Sequence, residues 1–134
     1  CRLGDPETES VLPRMKNDLV RLFSAVANQA LAEETIGVDP RPVATVMLVS
    51  KGYPGTYEKG KVITGTEQAE GSIVFHAGTV TGSKTGEAIS SGGRVIAVTS
   101  FGDTLQEALA RSYANAGKVD FEGKYFRKDI GFDL

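Results

Sequence analysis

The stretch VATVMLVS, residues 43–50, constrains the fold more than any other. Its apolar and β-branched residues do not alternate with polar ones, so the pattern is that of a strand buried on both faces. Such a strand needs a layer packed on each side of its sheet. SIVFHAGT (72–79) and GRVIAVTSF (93–101) read as further strands. KVIT (61–64) and EAIS (87–90) are shorter, weaker candidates, and TGSKTGE (81–87) is a glycine-rich turn between strands. One strong helix can cover the sheet. Thr104 and Glu107 spell a T-x-x-E capping box. Leu105, Ala108, Leu109, Ser112, Tyr113 and Ala116 form its inward stripe, and Gly117 is a natural stop. The tail VDFEGKYFRKDIGFDL (119–134) carries four aromatics in a polar setting and is expected to fold back on the sheet.

Ahead of residue 40 the hydrophobic period is helical. Leu19, Leu22, Phe23, Val26 and Ala30 recur at three- and four-residue steps, while Asp18 and Arg21 fall off that stripe. Pro13 cannot lie deep inside a helix. The expectation is a short helix from Pro6 to about Leu12, a kink, and a longer helix to about Leu31. AEETIGVDPRP (32–42), with two prolines, a glycine and three acids, then acts as a connector. A boundary is therefore placed near residue 40, dividing the chain into 1–39 and 40–134. The fold class expected is α+β: a helical lead-in, then a mostly antiparallel or mixed sheet with one main covering helix.

The chain has 134 residues, the size of one ordinary domain, or of a small domain plus a piece of another. With 15 basic and 17 acidic side chains the net charge is -2, which offers no electrostatic case for nucleic acid or an anionic membrane. No apolar run approaches the roughly 20 residues of a membrane helix. Cys1 is the only cysteine, so an internal disulfide and a CxxC metal site are excluded. A cytoplasmic location is expected. A start at Cys1 without an initiator methionine suggests a fragment or a processed chain.

Two stretches could carry chemistry. In RLGDPETE (2–9), Asp5 before Pro6 reads as a helix start, with Asp5 as N-cap and Glu7 in the first turn. Arg2 is a planar fork suited to a carboxylate or phosphate. The bland alternative is a capped helix with a solvated arginine. In KGYPGTYEKGKV (51–62), three glycines, two tyrosines and three lysines make a flexible cationic rim. From Gly55 it nearly spells a P-loop. Val62, however, stands where a magnesium-holding Ser or Thr is required, and a strand follows instead of a helix. The bland alternative here is a solvated hairpin turn. His76, the lone histidine, alternates with Phe75 on a strand and is expected to be structural, and Arg94 in SGGRV is expected at a turn or surface.

Several ordered blocks together carry a resemblance: RLGDPETE, VLPRMKNDLV, GYPGTYEKGKVITG, VFHAGT, SGGRVIAVT, GDTLQEAL and FEGKYFRKDIG. They resemble the C-terminal part of the phosphoribosylamine–glycine ligase family, over nearly the whole chain. The resemblance implies an ATP-grasp ligase of purine biosynthesis. Such an enzyme uses ATP with Mg2+ or Mn2+ to phosphorylate glycine, and the amine of phosphoribosylamine attacks the acyl phosphate. It further implies that residues 1–39 are the helical end of an ATP-grasp domain and 40–134 the C-terminal α+β domain. A Glu-x-Asn metal pair and the ATP clamp would lie upstream, in the missing N-terminal ATP-grasp portion, leaving this part inactive alone. Arg2 would hold the glycine carboxylate, with Asp5 and Glu7 orienting an amine or bracing Arg2. The loop Gly52, Tyr53, Pro54, Gly55, Tyr57, Lys59 and Lys61 would close over phosphoribosylamine. No metal ligand is expected in this part. The competing readings are a non-catalytic binding or interaction module that keeps the fold, and an ATP-grasp ligase with another acceptor.

Overall fold

A computed structural model describes residues 3–82 and 86–132. The chain is α+β, built on a four-stranded antiparallel sheet of order β2-β5-β1-β6. The strands are β1 (Val43–Ser50), β2 (Ser72–His76), β5 (Arg94–Phe101) and β6 (Lys124–Tyr125). A separate two-stranded ribbon pairs β3 (Thr79–Thr81) with β4 (Ala88–Ser90). The segment KVIT, expected as a strand, makes only single bridges, Val62 to Ile89 and Thr64 to Asp120. SIVFHAGT is likewise split, because Ala77 and Gly78 leave the β2 line between two short strands.

β5 is the strand buried on both sides, with Val95 to Ser100 all inaccessible. β1 lies beside it in a register that sets Val46 against Val98 and Leu48 against Ile96. Contrary to the expectation of two buried faces, β1 alternates: Ala44, Val46, Leu48 and Ser50 are buried, while Val43, Thr45, Met47 and Val49 are half-buried. The difference lies in what covers each face. The α3 helix (Leu105–Lys118) closes the first face, and the short α1 helix (Thr8–Val11) packs on the second, where Ser10 bonds Thr45.

α3 starts as its capping box requires, with the Thr104 side chain accepting from Glu107 N at 3.2 Å. Glu107 bonds back one residue early, to Asp103 N at 3.0 Å. The helix runs past Gly117 to Lys118, so that glycine is not its stop. Its end is closed instead by Lys124, whose ammonium donates to the carbonyls of Val119 (2.5 Å), Ala116 (3.3 Å) and Gly117 (3.4 Å). A cation there also offsets the negative end of the helix dipole. Ser112 and Asn115 are buried with every reason to be: Ser112 bonds Ala44 O and Ser100 Oγ, and Asn115 bonds Glu70 O and Ser72 Oγ. The tail folds back as expected through Phe121, which is buried, and Phe126, which packs on the core. Tyr125 and Phe132 remain exposed.

The N-terminal helices are shorter than their sequence pattern. α1 covers Thr8–Val11 and passes into a 3-10 turn at Leu12–Arg14, where Pro13 sits in the first positions that tolerate it. α2 spans Leu19–Ala27, opened by Asp18, whose carboxylate accepts from Arg21 N at 2.9 Å. It stops at Asn28 because Gln29 turns left-handed, with φ 57°. Leu22 and Ala25 form its buried side, while Phe23 and Val26 of the expected stripe are exposed. Returning backbone pairs, Asp39 N to Arg14 O and Lys16 N to Gly37 O, close this lobe on itself.

Candidate functional site

The site begins at a floor of glycines where β5 starts. Gly78 lies so close to residues 92–94 that a Cβ on it would stand 2.4 Å from Arg94 O and 2.7 Å from Gly92 Cα. That contact is sealed by Gly78 N to Arg94 O (2.9 Å) and Ser91 N to Gly78 O (2.7 Å). Gly93 serves a different neighbour: a Cβ there would stand 2.1 Å from Tyr53 Cδ2 and 3.0 Å from Tyr57 Cε1. Bare backbone is therefore what lets Tyr53 lie against the sheet.

Above this floor is an open cleft of about 560 Å³, lined by residues of the N-terminal arm (Leu3, Asp5, Thr8, Glu9), by Tyr53, and by Gly78, Gly93 and Arg94. Arg94 joins its two sides. Its guanidinium donates to Asp5 O at 3.0 Å and pairs with the Asp5 carboxylate at 3.3 Å. The bond spans 89 positions of sequence. Arg94, expected at a turn or surface, is thus a wall of the cleft that no local motif marks.

Asp5 is not the helix cap that its place before Pro6 suggested. The helix opens two residues later, at Thr8, with Glu7 in the cap position and no side-chain bond capping it. The carboxylate of Asp5 is engaged by Arg94 instead. Glu7 folds back over Gly4 and does not line the cleft. Arg2 lies outside the described residues.

The loop between β1 and residue 62 divides its residues among three places. Tyr53 enters the cleft. Gly52, Tyr57 and Lys61 line a second hollow of about 510 Å³, shared with Glu58 and Glu122. Pro54 and Gly55 lie exposed at the tip. Gly52 is required by the turn, since its φ is 96° and a Cβ would stand 2.1 Å from Thr56 O. Tyr53 and Tyr57 meet edge to face, 6.2 Å between centroids, and the Lys59 ammonium sits 5.9 Å from the Tyr57 ring centre. Lys61 is already engaged, with Glu58 at 2.8 Å and Glu122 at 2.9 Å. Those carboxylates raise the Lys61 pKa, led by the hydrogen bond Lys61 donates to Glu58, and the Glu58 pKa is lowered by accepting it. Lys61 therefore ties the loop to the tail across the chain. Further along the sheet, His76 is exposed at the end of β2, its Nδ1 3.1 Å from Thr79 Oγ1.

Residues 43–133, the sheet, α3 and the tail, match the family model described as phosphoribosylglycinamide synthetase, C domain. The chain belongs to that family. It is 46% identical over 135 residues to phosphoribosylamine–glycine ligase of Nostoc sp., covering 98% of this chain and 32% of that protein. The trifunctional purine biosynthetic protein adenosine-3 of Gallus gallus is 42% identical over 135 residues, covering 98% of this chain and 13% of that protein. The crystal structure of phosphoribosylamine–glycine ligase from Thermotoga maritima superposes with a TM-score of 0.73 at 36% identity, covering 96% of this chain and 31% of that one. The chain thus spans about a third of the length of the bacterial synthetases it matches.

Among the described residues, no group of three or more His, Cys, Asp or Glu side chains could hold a metal ion. The described residues therefore do not fit a divalent-metal site. No helix among them is long and apolar enough to cross a membrane.

Proposed function

We propose that this chain supplies the phosphoribosylamine-binding cleft of an ATP-dependent ligase that joins glycine to phosphoribosylamine through a glycyl phosphate. The observation that carries the reading is the convergence of the N-terminal arm, Tyr53 and Arg94 on one cleft in a member of the synthetase family. In it, residues 1–39 are the helical end of an ATP-grasp domain and 40–134 the C-terminal domain. ATP and its Mg2+ or Mn2+ belong to the remainder of the enzyme, and the location is cytoplasmic.

The chemistry assigned to these residues is binding and orientation. The Arg94 fork, half-buried and held by one carboxylate, suits a phosphate. Tyr53 covers the sugar, its ring against the glycine floor and its hydroxyl free to stay hydrated. Lys59 brings a point charge beside the Tyr57 ring, and Lys61 keeps the loop in place through its two carboxylates. Arg2 holds the glycine carboxylate, and Asp5, fixed by Arg94, shapes the approach between the two substrates. Holding an amine in line with an acyl phosphate removes much of the entropy cost of a bimolecular step.

The test uses the full-length ligase, followed by glycine-dependent ADP release. Tyr53→Ala is expected to raise the KM for phosphoribosylamine about tenfold, the scale of one lost aromatic contact. The KM values for ATP and glycine should stay within about twofold. Unchanged phosphoribosylamine kinetics would remove the cleft from the reading.

A further inference from the structure

Glu9 is the feature of the cleft that the fold does not account for. It lines the same wall as Asp5, Thr8 and Arg94. Its Oε2 is buried, and it is the one buried side-chain oxygen or nitrogen among the described residues without a hydrogen-bond partner. The neighbouring polar groups are committed elsewhere. Arg94 donates to Asp5, Thr8 Oγ1 donates to Gly4 O, and Ser10 Oγ bonds Thr45 Oγ1 at 2.7 Å. A buried carboxylate oxygen left without a donor costs stability, because its lost hydration is not replaced. The rest of the molecule meets this requirement with care, as the bonds of Ser112 and Asn115 illustrate.

We propose that Glu9 is a specificity residue whose carboxylate accepts hydrogen bonds from the vicinal hydroxyls of a ribosyl ligand in this cleft. A carboxylate carries only acceptors, so its natural complement is a group rich in O–H donors. A diol offers two such donors side by side, matched to the two oxygens of one carboxylate. The same cleft holds Tyr53 and Arg94, which the proposed function gives to the sugar and the phosphate, so Glu9 is left to read the hydroxyls. The inference rests on the reading that the cleft takes a phosphoribosyl group.

Because the unpartnered oxygen weakens the free protein, Glu9 should behave unlike a structural residue. Removing it should help folding and harm binding. The experiment uses the full-length ligase, ribose 5-phosphate and 2-deoxyribose 5-phosphate as probes, calorimetric titration for affinity and thermal unfolding for stability. Wild type should bind ribose 5-phosphate more tightly than the deoxy sugar. Glu9→Leu, which keeps the bulk but no acceptor, should bind ribose 5-phosphate about tenfold or more weaker and lose the preference. Its unliganded Tm should equal or exceed that of wild type. Glu9→Gln, which keeps a carbonyl acceptor, should recover part of both affinity and preference. If wild type binds neither probe, the reading of the cleft fails, and the proposal with it. If wild type binds both and Glu9→Leu keeps the affinity and the preference, the cleft stands and the role of Glu9 is overturned. A lowered Tm for Glu9→Leu, with loss of binding that Glu9→Gln does not recover, would make Glu9 structural and also overturn it.

Discussion

Gly93→Ala should disturb the cleft through one atom. The new Cβ would lie 2.1 Å from Tyr53 Cδ2 and 2.8 Å from its Cε2. Carbon atoms in contact prefer about 3.5–4.0 Å, so the ring must retreat by roughly 1.5 Å. The backbone cannot yield instead, because Gly93 O accepts from Ser50 N at 2.8 Å inside the β1–β5 junction. Overpacking of this kind costs about 1–3 kcal/mol. The cost should vanish largely when the ring is absent. In a Tyr53→Ala background only the milder Tyr57 contact at 3.0 Å remains. A double-mutant cycle, read by urea unfolding followed with far-UV circular dichroism, should therefore give a coupling of about 1–2 kcal/mol, well above the ~0.3–0.5 kcal/mol scatter of independent sites. Additivity within that scatter would mean that Tyr53 does not rest on Gly93. The account of the glycine floor would then be wrong.

Three other perturbations test separate parts of the structure. Lys124→Met keeps the stem but removes the donor to three carbonyls at the end of α3; it should lower stability by about 2 kcal/mol, the scale of a charged hydrogen bond plus the dipole term, in the same urea assay. The Asp39 carboxyl is held well below its ordinary value of 3.8 by hydrogen bonds from the Arg41 side chain and backbone. A depressed folded pKa contributes stability that is present above the ordinary value and lost as pH falls below it, so Arg41→Gln should flatten the decline in urea midpoint on acidification from pH 3.8 downward. In the full-length ligase, Arg2→Ala should reduce glycine kcat/KM by about 30-fold or more, from the ~2–5 kcal/mol cost of breaking a charge pair; values within threefold of wild type would leave Arg2 a solvated charge.

The sheet could be read from the sequence because its cause is local. VATVMLVS is β1 to the residue, and the capping box at Thr104 opens α3 where its geometry requires. Local pattern did less well wherever a distant partner decides the outcome. The apolar period of residues 19–30 states that a helix has an apolar side, but not which side is covered; the chain buries Leu22 and Ala25 and leaves Phe23 exposed. Asp5 carried a helix-start signal by composition, which the structure does not follow. A guanidinium 89 positions away competes for the same carboxylate, and the helix opens at Thr8 instead.

The same logic explains why half of the cleft stayed invisible. Tyr53 and Asp5 lie in conspicuous motifs, so residue type and spacing draw attention to them. Gly78, Gly93 and Arg94 do their part through positions that only the β2–β5 pairing brings together, and a glycine's lack of a side chain leaves no trace of what rests on it. Glu9 is hidden for another reason. In sequence it is one more acid in the first turn of a helix, where the dipole favours it. That local benefit and the buried, unpartnered oxygen are opposed in sign. Only the packing of the arm against Arg94 and the glycine floor reveals that Glu9 stands where a ligand, not a helix, would make use of it.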